Sequence, residues 1–210
     1  MHPIFQSLSD MKIVPVITIH DVEKALPLAS ALCEGGLPCA EITFRTPAAV
    51  DAIQKITKEF PEMLVGAGTV LTMIQVDNAI EAGAKFIVAP GLNPATIRHS
   101  FAKGIPMIPG ICTPTEIEQG LSLGLEALKF FPAEAAGGTA MLKALSAPYN
   151  KIRFMPTGGI SPANVRDYLA IESVFACGGS WMISNELIET GNYAKITELT
   201  REAVALATAQ

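Results

Sequence analysis

Pro38-Cys39-Ala40-Glu41-Ile42-Thr43-Phe44-Arg45 alternates between two kinds of side chain, and Thr46-Pro47 follows it directly. Beyond that turn Val50, Ile53, Ile56 and Phe60 recur at helical spacing, which places them on one face. The stretch reads as a buried strand that passes through a turn into an amphipathic helix. In the strand, the period of two puts Ile42 and Phe44 on one face and Glu41, Thr43 and Arg45 on the other. The rest of the chain repeats this unit.

Working outward, apolar runs of the same kind lie at 12–19, 38–45, 64–69, 86–90, 105–110, 127–132, 153–159 and 174–180. Each is short, rich in Val, Ile, Phe or Ala, and followed by turn residues. The helical patterns between them have readable ends. Thr46-Pro47, Asn93-Pro94, Thr113-Pro114 and Ser161-Pro162 each pair an N-cap oxygen with a proline at the first helical position. Thr113-Pro114-Thr115-Glu116 has the form of a capping box, and Gly83, Gly104 and Gly124 stand where left-handed C-caps are expected. Strand-then-helix units in this number predict parallel strands that close on themselves. The expected fold is α/β, a single (β/α)8 TIM barrel domain over residues 1–210, with a short N-terminal helix over 3–10 covering its lower end. Pro15, Pro90, Pro109, Pro132 and Pro156 fall inside or at the ends of these runs, although proline disrupts central strands. An open doubly wound sheet is the alternative, but no G-x-G-x-x-G follows the first run.

Composition narrows the function classes. With 210 residues, the chain is long enough to bury roughly 70% of its unfolded surface without a disulfide or metal. Half of it is hydrophobic and 17% is charged, as suits strands buried on both faces. No apolar run approaches the ~20 residues of a membrane span. The net charge is −5 and the basic residues are scattered, which argues against nucleic acid and acidic membrane as partners. Residues 1–12 lack the pattern of a secretory leader. Cys33, Cys39, Cys112 and Cys177 show no C-x-x-C spacing and read as small hydrophobes in a reducing, cytoplasmic setting. His2, His20 and His99 lack metal-ligand spacing, so neither a metal nor a cofactor is expected.

In such a barrel the chemistry sits at the carboxyl ends of the strands. Of the lysines, only Lys129 lies inside a strand, in Ala127-Leu128-Lys129-Phe130-Phe131-Pro132. The alternation turns Leu128 and Phe130 to the helices and Ala127, Lys129 and Phe131 to the interior. Burial strips water from an ammonium group, and a neutral amine is the form that attacks a carbonyl. The plain alternative is an ion pair without chemistry. An interior glutamate such as Glu41 can pass protons to a substrate, and the planar fork of Arg45 can grip a carboxylate at the rim. Thr157-Gly158-Gly159 and Gly178-Gly179-Ser180 end the last two runs. Their amides, with a short helix beginning near Ser184, form a candidate anion cradle. No Lys or Arg lies in either turn, so a phosphate there relies on amides and the Thr157 and Ser180 hydroxyls.

At these residues the chain resembles the 2-keto-3-deoxy-6-phosphogluconate (KDPG) and 4-hydroxy-2-oxoglutarate (KHG) aldolase family. The likeness runs along essentially the whole chain. Its anchors are Ala40-Glu41-Ile42-Thr43-Phe44-Arg45-Thr46, Gly66-Ala67-Gly68-Thr69-Val70-Leu71, Lys129-Phe130-Phe131-Pro132-Ala133-Glu134, Pro156-Thr157-Gly158-Gly159-Ile160-Ser161 and Gly178-Gly179-Ser180-Trp181. The resemblance implies a class I aldolase, a carbon–carbon lyase with Lys129 as Schiff-base lysine and Glu41 as general acid/base. It implies that Arg45 and Thr69 bind the pyruvate carboxylate and that Pro90 and Phe131 flank the pyruvyl group. Thr157 matches a position that influences stereochemistry at substrate C4, where threonine favours the gluconate series. A homotrimer is implied by resemblance alone. Two other readings stand beside it: a phosphosugar isomerase or epimerase without a covalent step, and a non-catalytic sugar-acid-binding scaffold.

Overall fold

Every apolar run of the sequence contributes a parallel strand to the computed structural model, which describes residues 1–208. In chain order the elements are α1 (Pro3–Met11), β1 (Ile13–Ile17), α2 (Ala25–Glu34), β2 (Cys39–Thr43), α3 (Ala49–Glu59), β3 (Leu64–Gly68), α4 (Met73–Glu81) and β4 (Phe86–Val88). There follow α5 (Pro94–Ala102), β5 (Met107–Ile108), β6 (Gly110–Ile111), α6 (Pro114–Ser122), β7 (Ala127–Phe130), α7 (Gly138–Ser146) and β8 (Arg153–Pro156). The last are α8 (Val165–Leu169), β9 (Cys177–Gly179), α9 (Asn185–Glu189) and α10 (Tyr193–Thr208).

The strands form a six-stranded sheet, ordered β5-β4-β3-β2-β1-β9, and a three-stranded sheet, β6-β7-β8. One continuous eight-stranded ladder was the expectation, and the interruptions fall at prolines. The fifth run is split between β5 and β6 by Pro109, which has no N–H to donate, while its carbonyl accepts from Lys129 N–H at 2.8 Å. Between β8 and β9 the ladder thins to isolated bridges, Phe154 with Val174 and Thr157 with Gly178, on either side of Pro156. Pro15 is accommodated within β1, in register with Gly179.

Alternation along the strands separates two cores. Outward-facing Ile42, Val65, Ile87, Leu128 and Phe154 pack with helix residues such as Leu28, Ile53, Val76 and Ile117. The opposite faces send Val14, Cys39, Leu64, Phe86, Ile108, Ala127 and Met155 into a second cluster. Phe5 and Leu8, three apart on α1, close that cluster, and the Phe5 and Phe175 rings lie 6.2 Å apart. The amphipathic α1 is bounded on both sides. His2 Nδ1 accepts from Ile4 N–H at 3.2 Å, Pro3 occupies the first turn, and Lys12 ends the helix at φ 62°. Phe175 therefore lies at the α1 end.

Local signals held where no tertiary partner competed. Asn93 caps α5, Thr113 and Glu116 form the capping box of α6, and Gly83, Gly104 and Gly124 take φ of 90°, 74° and 83°. Two expected caps are absent. Thr46 donates its hydroxyl to the Ile19 carbonyl, and α3 begins only at Ala49. Ser161 is turned to Asn164, whose Oδ1 accepts from Ser161 N–H at 2.8 Å, and α8 begins at Val165. Among the described residues no helix is long and apolar enough to cross a membrane.

Candidate active site

Among the described residues, β2 and β7 carry the two buried charged side chains, Glu41 and Lys129. Lys129 Nζ stands 3.4 Å from Glu41 Oε1, with side-chain exposures of 6% and 1%. The register aligns Glu41 with Gly66 on β3, and β3 makes room for the carboxylate because Gly68 has no Cβ; one placed there would collide with Glu41 Oε1. Glu41 Oε2 is buried without a hydrogen-bond partner, and such orphaned acceptors are rare in folded proteins. The Phe131 ring centroid lies 5.0 Å from Lys129 Nζ, within cation–π range. Neighbouring Cys39 is no rival nucleophile. Burial, and then the Glu41 charge, push its thiol well above the ordinary range.

Phe131 also joins the pair to a cavity of 420 Å³, a size suited to a small ligand. Arg45, Phe131, Thr157, Gly158, Gly159, Gly178, Gly179 and Ser180 all line it. Val16, Thr18, Ile160, Ile183, Ser184 and Asn185 complete the lining. Of these, Thr18 was within reach of sequence reading, since Val14, Val16 and Thr18 share a face by the period of two. Its Oγ1 lies 2.9 Å from Thr43 Oγ1, and Thr43 in turn donates to the Ile17 carbonyl. Arg45 is exposed and makes no ion pair among the described residues.

The glycine turn after β8 is oriented by its carbonyls. Ala133 N–H donates to Thr157 O at 2.8 Å, Glu134 N–H to Gly158 O at 3.1 Å, and the Asn164 amide to Gly159 O at 3.0 Å. A trans peptide points its N–H opposite to its C=O. Three carbonyls tied to elements outside the turn therefore leave the N–H groups of Gly158, Gly159 and Ile160 directed away from those anchors. Gly158 and Gly159 take φ of 100° and 80°, which side-chain-bearing residues avoid. Successive amides in such a turn form an anion-binding concavity. The second turn closes on the first, since a Cβ on Gly178 would collide with Thr157 Oγ1.

Thr69 and Pro90, like Glu41 and Lys129, are not among the residues that line this cavity. Pro90 lines a separate cleft with Val70, Leu71, Leu92 and Asn93. Thr69 follows Gly68 at φ 56°, unusual for a β-branched residue. His20 is exposed beyond the end of β1. Among the described residues no three His, Cys, Asp or Glu side chains are grouped to hold a metal ion, and all four cysteines are free. A further cavity of 340 Å³ opens at the α1 end between His2, Phe5, Phe101, Leu125 and Glu126, and no lysine or arginine lines it.

The arrangement combines a buried amine beside a carboxylate with an unpaired guanidinium and an amide concavity. Known proteins match the chain at high coverage. The chain is 50% identical over 192 residues to the KHG/KDPG aldolase of Escherichia coli, covering 91% of this chain and 90% of that one. It superposes with a TM-score of 0.92 and 41% identity on the KDPG aldolase of Legionella pneumophila, solved with pyruvate captured as a covalent carbinolamine intermediate, over 94% and 97% of the two chains. The aldolase of Zymomonas mobilis, solved with 3-phosphoglycerate, matches with a TM-score of 0.90 and 41% identity over 96% and 95%. Residues 4–199 match the KDPG and KHG aldolase family, and the chain belongs to that family.

Proposed function

We propose that this chain is a class I aldolase that cleaves 2-keto-3-deoxy-6-phosphogluconate to pyruvate and glyceraldehyde 3-phosphate, and 4-hydroxy-2-oxoglutarate to pyruvate and glyoxylate. The observation that carries the reading is the buried Lys129–Glu41 pair at 3.4 Å, with Lys129 Nζ 5.0 Å from the ring centroid of Phe131, which lines the cavity. A buried ion pair is poor evidence for stability, because desolvation offsets most of its attraction. Its position on the inner face of parallel strands, two residues above the apolar layer of Cys39 and Ala127, favours chemistry. The capture of pyruvate as a carbinolamine by the Legionella relative supports the covalent step.

In the proposed reaction Lys129 Nζ attacks the C2 ketone, and Glu41 supplies and removes the protons that turn the carbinolamine into an imine with loss of water. Glu41 Oε2, the oxygen without a partner, accepts the C4 hydroxyl proton. The C3–C4 electron pair then flows into the protonated imine, releasing the aldehyde and leaving an enamine. Protonation at C3 restores the imine, and water hydrolyses it to free pyruvate and the amine. Arg45 holds the carboxylate through its planar fork, a charge-assisted contact. Thr69, whose left-handed backbone is the kind of strain found at functional positions, assists it. Phe131 and Pro90 flank the pyruvyl group, and the Thr157–Gly159 and Gly178–Ser180 turns receive the phosphate.

The proposed frame is a single (β/α)8 barrel domain closed at Pro109 and at the two β8–β9 bridges, in agreement with the inner cluster drawn from strands of both sheets. A homotrimer in the cytoplasm completes the proposal on family resemblance. Light scattering at three times 22.2 kDa tests the assembly. Pyruvate release from each keto acid, followed with lactate dehydrogenase, tests the activity. Turnover of the phosphorylated substrate is the expected result, and no pyruvate from either substrate overturns the assignment.

A further inference from the structure

The residue after Pro132-Ala133 does more than continue the loop that follows β7. Glu134 donates its backbone N–H to Gly158 O at 3.1 Å, and its side chain lies across the next residue of the turn. A Cβ on Gly159 would stand 2.6 Å from Glu134 Cγ and 2.7 Å from Glu134 Cβ. The carboxylate continues to α8, where Glu134 Oε1 accepts a hydrogen bond from the Tyr168 hydroxyl. Tyr168 is wholly buried, although Glu134 is exposed. The tyrosine is set by the same segment it serves, since its N–H donates to Asn164 O and the Asn164 amide holds Gly159 O. Glycine at 159 is thus required twice, by its φ of 80° and by the glutamate stem above it.

An exposed carboxylate beside an anion cradle is an unfavourable choice on charge alone, since like charges repel. Its retention calls for a reason in geometry. We infer that Glu134 and Tyr168 form a positioning pair that fixes the Gly158-Gly159 turn, and so sets how well the enzyme receives the phosphate end of its substrate. The inference rests on the proposed phosphate role of that turn. Both side chains act through the turn and not on the reacting atoms, so they are positioning residues. Burial, reinforced by the hydrogen bond to Glu134, raises the pKa of Tyr168, which keeps the hydroxyl a donor through the working range. With the strut in place, the carbonyls of residues 157–159 stay turned to their anchors and the amides to the ligand. Without it, Gly158 and Gly159 regain the conformational freedom that glycine offers, and the concavity is no longer preformed.

The consequence is selective. KDPG carries a phosphate and 4-hydroxy-2-oxoglutarate does not, so only the former should register a loosened turn. The experiment measures kcat and KM for both substrates in the full-length wild type and in Tyr168→Phe, Glu134→Ala and Glu134→Gln. Pyruvate release by the wild type and competitive inhibition by inorganic phosphate establish the reading beneath the inference; failure of either removes that reading, whatever the variants do. With both in place, Tyr168→Phe is expected to raise KM for KDPG about five- to tenfold, the range for one lost hydrogen bond. Its kcat on both substrates, and KM for 4-hydroxy-2-oxoglutarate, should stay within about twofold of wild type. Glu134→Ala, a change at an exposed residue, should match or exceed that effect. Glu134→Gln, whose amide oxygen still accepts from Tyr168, should restore the wild-type KM. A rise in KM shared equally by the two substrates, unchanged KM in both Tyr168→Phe and Glu134→Ala, or no rescue by glutamine overturns the inference.

Discussion

The two ends of the strand interior are built from the same strands and do opposite things. On β2 the inner face passes from Cys39 to Glu41, on β7 from Ala127 to Lys129, and from Met155 on β8 to Thr157 just beyond it. Each step is two residues, roughly 6.6 Å along the strand. Below it, apolar side chains pack against Phe5 and Leu8 of α1. Above it, polar groups surround a cavity of 420 Å³. The lower end is shaped for packing and the upper end for a ligand, so stability and chemistry are separated along the strand axis. Variants at the two ends should fail in different ways.

The largest expected effect is at the upper end. Lys129→Ala should abolish pyruvate release while circular dichroism still reports a folded chain; appreciable retained turnover would remove the covalent mechanism. Glu41→Gln should slow kcat by ~10²–10⁴-fold, the range for a positioned acid/base group. A near-wild-type rate would hand proton transfer to another residue. At the lower end Phe5→Ala should destabilise the fold by about 3–5 kcal/mol, as for a buried aromatic ring, yet leave kcat of the folded enzyme unchanged. Chemical denaturation alongside a rate assay checks both halves of that statement, and a lost kcat without lost stability would break the separation.

The smallest effect belongs to neither end. On the outer surface the Asp77 carboxylate accepts from His99 at 2.9 Å and lies 3.1 Å from Lys103 Nζ. The hydrogen bond from His99, then that from Lys103, holds its pKa below the usual aspartate value. A lowered folded-state pKa adds stability above the unfolded value, and that stability is lost as pH falls through the folded one. Asp77→Asn should therefore lower Tm slightly near neutrality, and the difference should vanish in acid. A difference that grows towards acid would contradict the assignment.

Much of this was legible in the residues because alternation and burial are local properties of a strand. The inner-face positions of Glu41 and Lys129 follow from their neighbours Ile42, Leu128 and Phe130, all outward. What the residues did not disclose depends on partners distant in sequence. Gly68 reads as an ordinary turn glycine until Glu41 is seen beside it. Thr46 and Ser161 have the chemistry of helix caps, but Ile19 and Asn164 take their hydrogen bonds. Tyr168 and Glu134 are 34 residues apart and meet only through the β8 turn. Pro109 marks a break in pairing that composition flags without saying which side retains the ladder. Thr69 and Pro90, named by family resemblance, lie outside the cavity lining, as Glu41 and Lys129 do.

The most direct measurement is borohydride reduction in the presence of pyruvate, followed by peptide mapping. One reduced pyruvyl group per chain, carried by the peptide that contains Lys129 and absent from Lys129→Ala, is the expected result. Pyruvate-dependent labelling of a different lysine, or none in a chain that still turns over substrate, would contradict the account and favour non-covalent acid–base chemistry.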